Sequence, residues 1–252
     1  MTENKKENFQ KLFTEFKDLL INFSDSDIEK IIEHALCTNL INSKSEILDW
    51  YSNILNNLQT KEKIIPLNEV RDWDIGNTEI VHKSGSFFKV VGVRVENSKD
   101  REVEDKGWDQ PIIKEVNDNK GGLLALLKTR IEGLPHYLVE AKYEPGNHNS
   151  LQLSPTLQAT FSNLEQKHGG RKPHYHELFS DYEKKSQYLF NNWLTEDGGR
   201  LYKKRNLGLI KEVPFNEIKV RENFIFVSLF QVKELLKEES IINPHLARLI
   251  FL

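Results

Sequence analysis

The apolar residues of this chain repeat at one period up to about residue 60 and at another from about residue 70 onward. Before the change, Phe9, Leu12, Phe13, Phe16, Leu19 and Leu20 fall at i, i+3, i+4, i+7, i+10 and i+11, which is one stripe on a helix. Ile28, Ile31, Ile32, Ala35 and Leu36 repeat that spacing after Ser24-Asp25-Ser26-Asp27, a run of good N-cap residues. A third stripe, Ile47, Trp50, Tyr51, Ile54, Leu55 and Leu58, opens with Ser43 and Glu46 at capping-box spacing. After the change the period is two, which sends successive side chains to opposite faces of a strand. Residues 84–96, SGSFFKVVGVRVE, read as a strand with Gly85 and Gly92 marking bends. Residues 121–146 read as a hairpin turning at Glu132-Gly133-Leu134-Pro135. Its second arm sets Tyr137, Val139, Ala141 and Tyr143 on one face and Leu138, Glu140, Lys142 and Glu144 on the other. SQYLFNNWL and RLYKKRNLGLIKEV then flank the turn Glu196-Asp197-Gly198-Gly199, and a short helix begins at Asn243-Pro244. Strands held between helical flanks predict an α+β fold, with a helical segment over 1–65 and a sheet-based domain over 66–252.

The chain has 252 residues and 38% apolar content, enough for one large domain or a domain with a small appendage. Its formal net charge is −3, with acids and bases interspersed, so composition points to no nucleic-acid partner. A single cysteine, Cys37, excludes an intramolecular disulfide and fits a reducing compartment. The N-terminus is polar, and no apolar run approaches the ~20 residues needed to cross a bilayer. The expectation is a soluble, cytoplasmic protein with no membrane partner.

Several stretches invite chemistry. REVEDKGW (101–108) resembles the metal-binding helix of Nudix hydrolases, but its acid pair is broken and its spacing is one residue short. It reads as a solvated charged loop, and no metal is expected. His174 and His176 have no third ligand at a zinc spacing, so they read as surface histidines. Cys37 reads as a small buried residue rather than a nucleophile. GGLL (121–124) precedes a strand-like run and is no phosphate loop. Two clusters remain. Lys203, Lys204 and Arg205 follow a glycine turn and, with Arg171, suit either a diphosphate or water. Gln152, Ser154, Thr156, Gln158 and Thr160 alternate with apolar residues and suit either a wet edge strand or a face that reads a polar ligand.

Residues 140–163, EAKYEPGNHNSLQLSPTLQATFSN, closely resemble the signature of the NDP-hexose 2,3-dehydratases. IVHKSGSFFKVVGVRV, GWDQPII, KPHYHELF, LTEDGGRLYKKRN and IINPHLARLI follow the family's pattern in order, so the resemblance spans roughly residues 70–252. Better-known members carry two tandem copies of the unit, whereas this chain holds one. The resemblance implies a Nudix-like mixed-sheet domain without the metal box, preceded here by the helical segment. It also implies a substrate, an NDP-4-keto-6-deoxyhexose with dTDP as the foremost nucleotide. Its C4 ketone acidifies the C3 hydrogen, so elimination of the 2-hydroxyl needs a base, an acid and a donor to O4, and no redox cofactor or metal. Within that family reading, Glu144 is the base, Glu196 the alternative base or the acid, and Lys142 the group facing the enolate oxygen. Gln152, Ser154, Thr156 and Gln158 would bind sugar hydroxyls and the nucleobase, with Asn147 and Tyr175 completing the substrate-binding set. Arg171, Lys203 and Arg205 would take the diphosphate, and Trp73 and Trp108 would stack on the base. The competing readings are a catalytically silent nucleotide-sugar-binding subunit and a diphosphate-sugar hydrolase. A single copy further predicts a two-fold homodimer, with Phe9, Phe13, Phe16, Trp50 and Tyr51 as spare aromatic surface.

Overall fold

Ser24 and Ser43 each start a helix by the same exchange. Each hydroxyl accepts the N–H three residues on, and the carboxylate there, of Asp27 or Glu46, takes the serine N–H in return. Two otherwise unpaired helical donors are thereby satisfied at each start. The computed structural model describes residues 2–36, 41–96, 107–116, 121–167 and 169–251. Three helices fill its first part, α1 (Thr2–Leu19), α2 (Asp25–Ala35) and α3 (Lys44–Asn56). Phe9, Ile28 and Ile32 of the first two pack with Leu134, and Phe13 and Phe16 cover them. Helix α3 joins the main core instead. Ile47 and Tyr51 are buried there, the Tyr51 hydroxyl donates to the Leu151 carbonyl at 2.7 Å, and Trp50 Nε1 donates to the Glu222 carbonyl at 3.1 Å. The aromatic residues expected to be spare for a second chain are therefore used by their own chain.

Four antiparallel strands follow, β1 (Trp73–Ile75), β2 (Glu79–His82), β3 (Phe88–Val95) and β4 (Trp108–Glu115), in sequential order. The second sheet takes β5 (Gly122–Ile131), β6 (Leu134–Tyr143), β7 (Leu151–Ser154) and β8 (Leu157–Thr160). After the single turn of α4 (Phe161–Leu164) it adds β9 (Phe190–Thr195), β10 (Arg205–Glu212) and β11 (Phe224–Val227). Helices α5 (Leu229–Leu235) and α6 (Pro244–Ile250) close the chain. The order of the second sheet is β11-β6-β5-β10-β9, with β10 parallel to β5 and the other pairs antiparallel. The fold is α+β, a mixed sheet flanked by helices and preceded by a helical segment. The hairpin is tighter than expected. Ile131 faces Leu134, so the turn is Glu132-Gly133 alone, both at positive φ, as a two-residue turn between twisted strands requires. Its faces match the alternation: Tyr137, Val139 and Ala141 meet α3, α5 and α6, while Leu138 meets Phe179, Phe224 and Phe226.

Strands β5 and β6 pair only over Leu127–Ile131 and Leu134–Leu138, then diverge like a fork. Strand β7 pairs the far half of β6 and β8 pairs the near half of β5, so residues 151–160 form a V nested inside the fork. Thr156 sits at the apex, where its hydroxyl accepts the Leu127 N–H at 2.9 Å and donates to the Leu138 carbonyl. Each of those buried groups left unpaired would cost about 1–3 kcal/mol. The single polar row expected across residues 152–160 is thus broken. Pro155 offers no N–H, β7 ends before it, and the alternation restarts in β8 on a different partner strand. Gln152, Ser154 and Thr156 are buried, with Gln152 Nε2 donating to the Ser240 carbonyl at 3.1 Å. The same segment anchors α6, since the Asn243 N–H reaches the Leu153 carbonyl at 2.9 Å.

The two sheets join at the β9–β10 connection. The Ile113 N–H donates to the Arg200 carbonyl at 2.9 Å, and the Tyr202 N–H donates to the Ile113 carbonyl at 2.8 Å. Gly121, at φ +70°, lets β5 begin against this connection; a Cβ there would lie 2.1 Å from the Arg205 carbonyl oxygen.

Candidate active site

The open end of the fork holds a cavity of about 460 Å³. Lys142 and Glu144 enter it from the end of β6, Gln158 and Thr160 from β8, Glu196 and Lys204 from the β9–β10 connection, Asn206 from β10, and His245 from α6. Gln158 Nε2 donates to both Glu144 carboxylate oxygens, at 3.0 and 2.9 Å. Lys142 Nζ donates across the fork to the Gln158 main-chain carbonyl at 2.8 Å and stands 3.4 Å from Glu144 Oε1. The carboxylate is therefore held in one orientation by two strands. Glu196 is gripped more tightly. It accepts from Asn206 Nδ2 and, at 3.3 Å, from Arg248 Nη2, and it lies 3.8 Å from His245 Nδ1. Lys204 Nζ is 3.3 Å from Glu115 Oε1, while the other Glu115 oxygen accepts the Gly121 N–H at 2.8 Å.

Burial holds the His245 imidazole below its ordinary pKa; Glu196 opposes that shift and Arg248 adds to it. One residue pair back along β6, burial pushes Glu140 up to about 7, against the pull of Lys142 and an Asn223 hydrogen bond.

A second cavity, of about 740 Å³, shares Glu196, Leu201 and Lys204 with the first. Trp108, Lys203 and Arg205 line it. Trp108 is oriented by its indole N–H, which donates to Gln110 Oε1 at 2.8 Å, and the Arg205 guanidinium lies 4.4 Å over the Trp193 ring. Acid–base groups thus occupy one chamber, and an aromatic ring with cations occupies the next.

The structure brings Lys142, Glu144, Gln158 and Glu196 to the first chamber and Trp108, Lys203 and Arg205 to the second. It does not bring the other expected residues there. Arg171 is exposed and lines neither chamber. Trp73 packs edge-on against His82 at 5.4 Å and beside Phe88. Tyr175 is a core residue whose hydroxyl donates to the Lys219 carbonyl at 2.8 Å. Asn147 serves the turn after β6, its N–H donating to the Glu144 carbonyl at 3.2 Å. His176 Nδ1 lies 2.9 Å from the Pro173 carbonyl, and no group of three or more His, Cys, Asp or Glu suited to a metal occurs among the described residues. Cys37 and residues 101–106 lie outside the described residues.

Sequence reasoning missed His245, Arg248 and Asn206. The signal for the first two lay in NPHLAR. With Asn243 as N-cap and Pro244 at the first helical position, His245 and Arg248 fall three apart on one helix face.

A family model described as NDP-hexose 2,3-dehydratase matches residues 44–251. The dTDP-4-dehydro-6-deoxy-alpha-D-glucopyranose 2,3-dehydratase of Saccharopolyspora spinosa is 34% identical over 222 residues, covering 86% of this chain and 44% of that protein. Proteins of the same name from Streptomyces violaceoruber and Amycolatopsis orientalis are 34% and 31% identical, each over 71% of this chain and over 39% and 38% of their own lengths. The chain spans less than half the length of these curated relatives.

Proposed function

The chain belongs to the NDP-hexose 2,3-dehydratase family, and from that premise we propose that it removes the C2 hydroxyl of an NDP-4-keto-6-deoxyhexose, with dTDP as the nucleotide. The names of its relatives support the substrate. The observation that carries the reading is the pairing of an acid–base chamber, with Lys142, Glu144, Glu196 and His245, to a neighbouring chamber with Trp108, Lys203 and Arg205. The sugar belongs in the first. The nucleoside diphosphate belongs in the second, where cations meet phosphate oxygens and an indole face meets the base.

The chemistry is an elimination through an enolate. Glu144 takes the C3 proton, and the electron pair of that C–H bond moves through C3–C4 onto O4. The pair then returns to re-form the C4 carbonyl, the C2–C3 double bond forms, and the C2 hydroxyl leaves with the proton that Glu144 took from C3, which makes it water and restores the carboxylate. The resulting 2,3-enol tautomerises to a 3,4-diketo-2,6-dideoxy sugar. Gln158 fixes the Glu144 carboxylate, which is the positional requirement on a general base. Glu196, held by Asn206 and Arg248, lines the same chamber.

One observation favours a second reading, a nucleotide-sugar-binding subunit without turnover: both Glu144 oxygens are already engaged by Gln158. Incubation with a 4-keto-6-deoxy nucleotide sugar, followed by mass spectrometry, separates the readings. A dehydratase releases the mass of one water, with EDTA present and no NAD added. Binding without mass change would establish the silent subunit, and metal-dependent release of a sugar phosphate would establish a hydrolase.

The assembly belongs to the same proposal. A two-fold homodimer would bury Leu19, Ile21 and Phe23, which are 74%, 81% and 50% exposed where α1 gives way to α2. Light scattering should then find twice the 29.5 kDa of the chain, about 59 kDa. An active species at the chain mass would rule the dimer out. A cytoplasmic setting completes the reading; among the described residues no helix is long and apolar enough to cross a membrane.

A further inference from the structure

The elimination proposed above, on which this inference rests, gathers negative charge on O4, and a donor must meet that charge as it develops. Lys142 was the expected donor, but its ammonium is bonded to the Gln158 carbonyl and turned toward Glu144. We propose that His245, as a neutral imidazole carrying its proton on Nε2, donates the hydrogen bond to the C4 oxygen of the substrate.

The tautomer follows from Arg248. Its Nη2 lies 3.2 Å from His245 Nδ1. A guanidinium has only donors, so Nδ1 must accept with its lone pair, and the proton of the neutral ring must sit on Nε2. Glu196 Oε1, at 3.8 Å from Nδ1, is too distant to claim a proton there. Arg248 cannot swing away freely, because Nη1 donates to the Thr195 carbonyl at 2.6 Å and Nη2 to Glu196 at 3.3 Å. The backbone that carries the ring is anchored as well. The His245 main-chain N–H is capped by Asn243 Oδ1 at 2.8 Å, and Asn243 is tied to β7. Nε2, by contrast, has no protein hydrogen-bond partner among the described residues, and His245 lines the cavity.

The charged groups around the ring divide evenly in sign. Glu196 and Glu144 favour the imidazolium, Arg248 and Lys204 oppose it, and burial, the largest influence, also opposes it. A ring kept neutral near pH 7 cannot deliver a proton to a departing hydroxide from a charged state. It retains its Nε2 proton throughout, which is what a developing enolate oxygen requires; neutral histidines can polarise a carbonyl in this way.

Three readouts test the assignment. In protein labelled with ¹⁵N-histidine, the ring signals that vanish in His245→Ala should show the neutral Nε2–H form near pH 7; an imidazolium or an Nδ1–H ring would overturn the proposal. His245→Ala should lower kcat by about 10²–10³-fold with KM nearly unchanged, and His245→Gln, whose amide can donate from a similar place, should recover at least a tenfold part of that loss. Wild-type kcat should hold level from about pH 7 to about pH 9, because the neutral donor persists; a decline following the histidine titration would show an imidazolium acid instead. Exchange of the C3 hydrogen in D₂O separates this inference from the dehydratase reading, since enolisation alone needs the O4 donor. Exchange without water loss, slowed in His245→Ala, would remove the dehydratase reading and sustain the donor. Neither exchange nor water loss in the wild type would overturn both.

Discussion

Glu144→Gln is expected to bind the nucleotide sugar as the wild type does and to turn it over about 10²–10⁴-fold more slowly, the range over which a general base acts. The substitution keeps the shape of the side chain and removes its ability to take a proton. It also sets a local test of the fold, because the new amide NH₂ would confront Gln158 Nε2, which now donates to both carboxylate oxygens. A half-turn of the Gln158 amide resolves the conflict. It points Gln158 Oε1, a buried acceptor that has no partner in the wild type, at the new donor. The variant should therefore stay folded, and a calorimetric titration with the nucleoside diphosphate should return a wild-type affinity. Loss of turnover with affinity retained assigns the base. Normal turnover would make Glu144 a binding residue and pass the role to Glu196, whose carboxylate lines the same chamber.

The features legible in sequence were those decided by near neighbours. Ser24 with Asp27, Ser43 with Glu46, and Asn243 with Pro244 specify helix starts within four residues, and each stands where its spacing puts it. The two faces of β6 follow from strict alternation and need nothing beyond the strand itself. The fork was not legible, because its determinant is the Thr156 hydroxyl reaching Leu127 and Leu138, 29 and 18 residues away. Alternation alone could not show that Gln152, Ser154 and Thr156 would be consumed inside the sheet while Gln158 stayed at the cavity. Tyr175 and Trp73 failed for a related reason. An aromatic ring with a polar tip suits a core, as Tyr175 does, or packing on the face of a small sheet, as half-buried Trp73 does, and side-chain type does not say which the chain folds around it. His245 and Arg248 stand in a stretch whose sequence shows a helix start and a family motif, but neither signal says that the helix brings them to strands β6 and β8 around one chamber.

A buried ion cluster at the other end of β5 was equally invisible in sequence, and its disruption should have the largest effect on stability. Lys128 lies inside the apolar run LLALLK and is 3% exposed. It pairs with Glu29 of α2, which Arg130 also contacts, and Arg130 Nε reaches Glu212 Oε1 at 2.9 Å. Lys128→Met leaves Glu29 buried beside a single half-exposed guanidinium, and removing one partner of a buried pair costs about 3–5 kcal/mol. At about 2–4 °C per kcal/mol for a chain of this size, the thermal midpoint should fall by roughly 6–20 °C. Glu29→Met combined with Lys128→Met should recover most of that loss, since the orphaned charge goes too. Catalysis should survive well below the midpoint, because Lys128 stands four residues, roughly 13 Å, along β5 from the cavity residue Leu124. Glu33, one helical turn beyond Glu29, gives the cluster a pH dependence. Burial pushes its carboxyl up to about 8 against the pull of Lys128, and Tyr137 donates to it at 3.2 Å. Because the folded pKa lies above the unfolded one, the fold binds this proton more tightly. The stabilisation is complete below about pH 4.5 and is lost as pH rises toward 8, at no more than about 1.4 kcal/mol per pH unit. Glu140, raised to about 7, acts in the same direction. Thermal midpoints measured from about pH 5 to about pH 8.5 should therefore decline, and Glu33→Gln should flatten much of the slope. An equally steep slope in that variant would mean that Glu33 is already ionised in the fold, and a wild-type midpoint in Lys128→Met would mean that Arg130 alone neutralises Glu29.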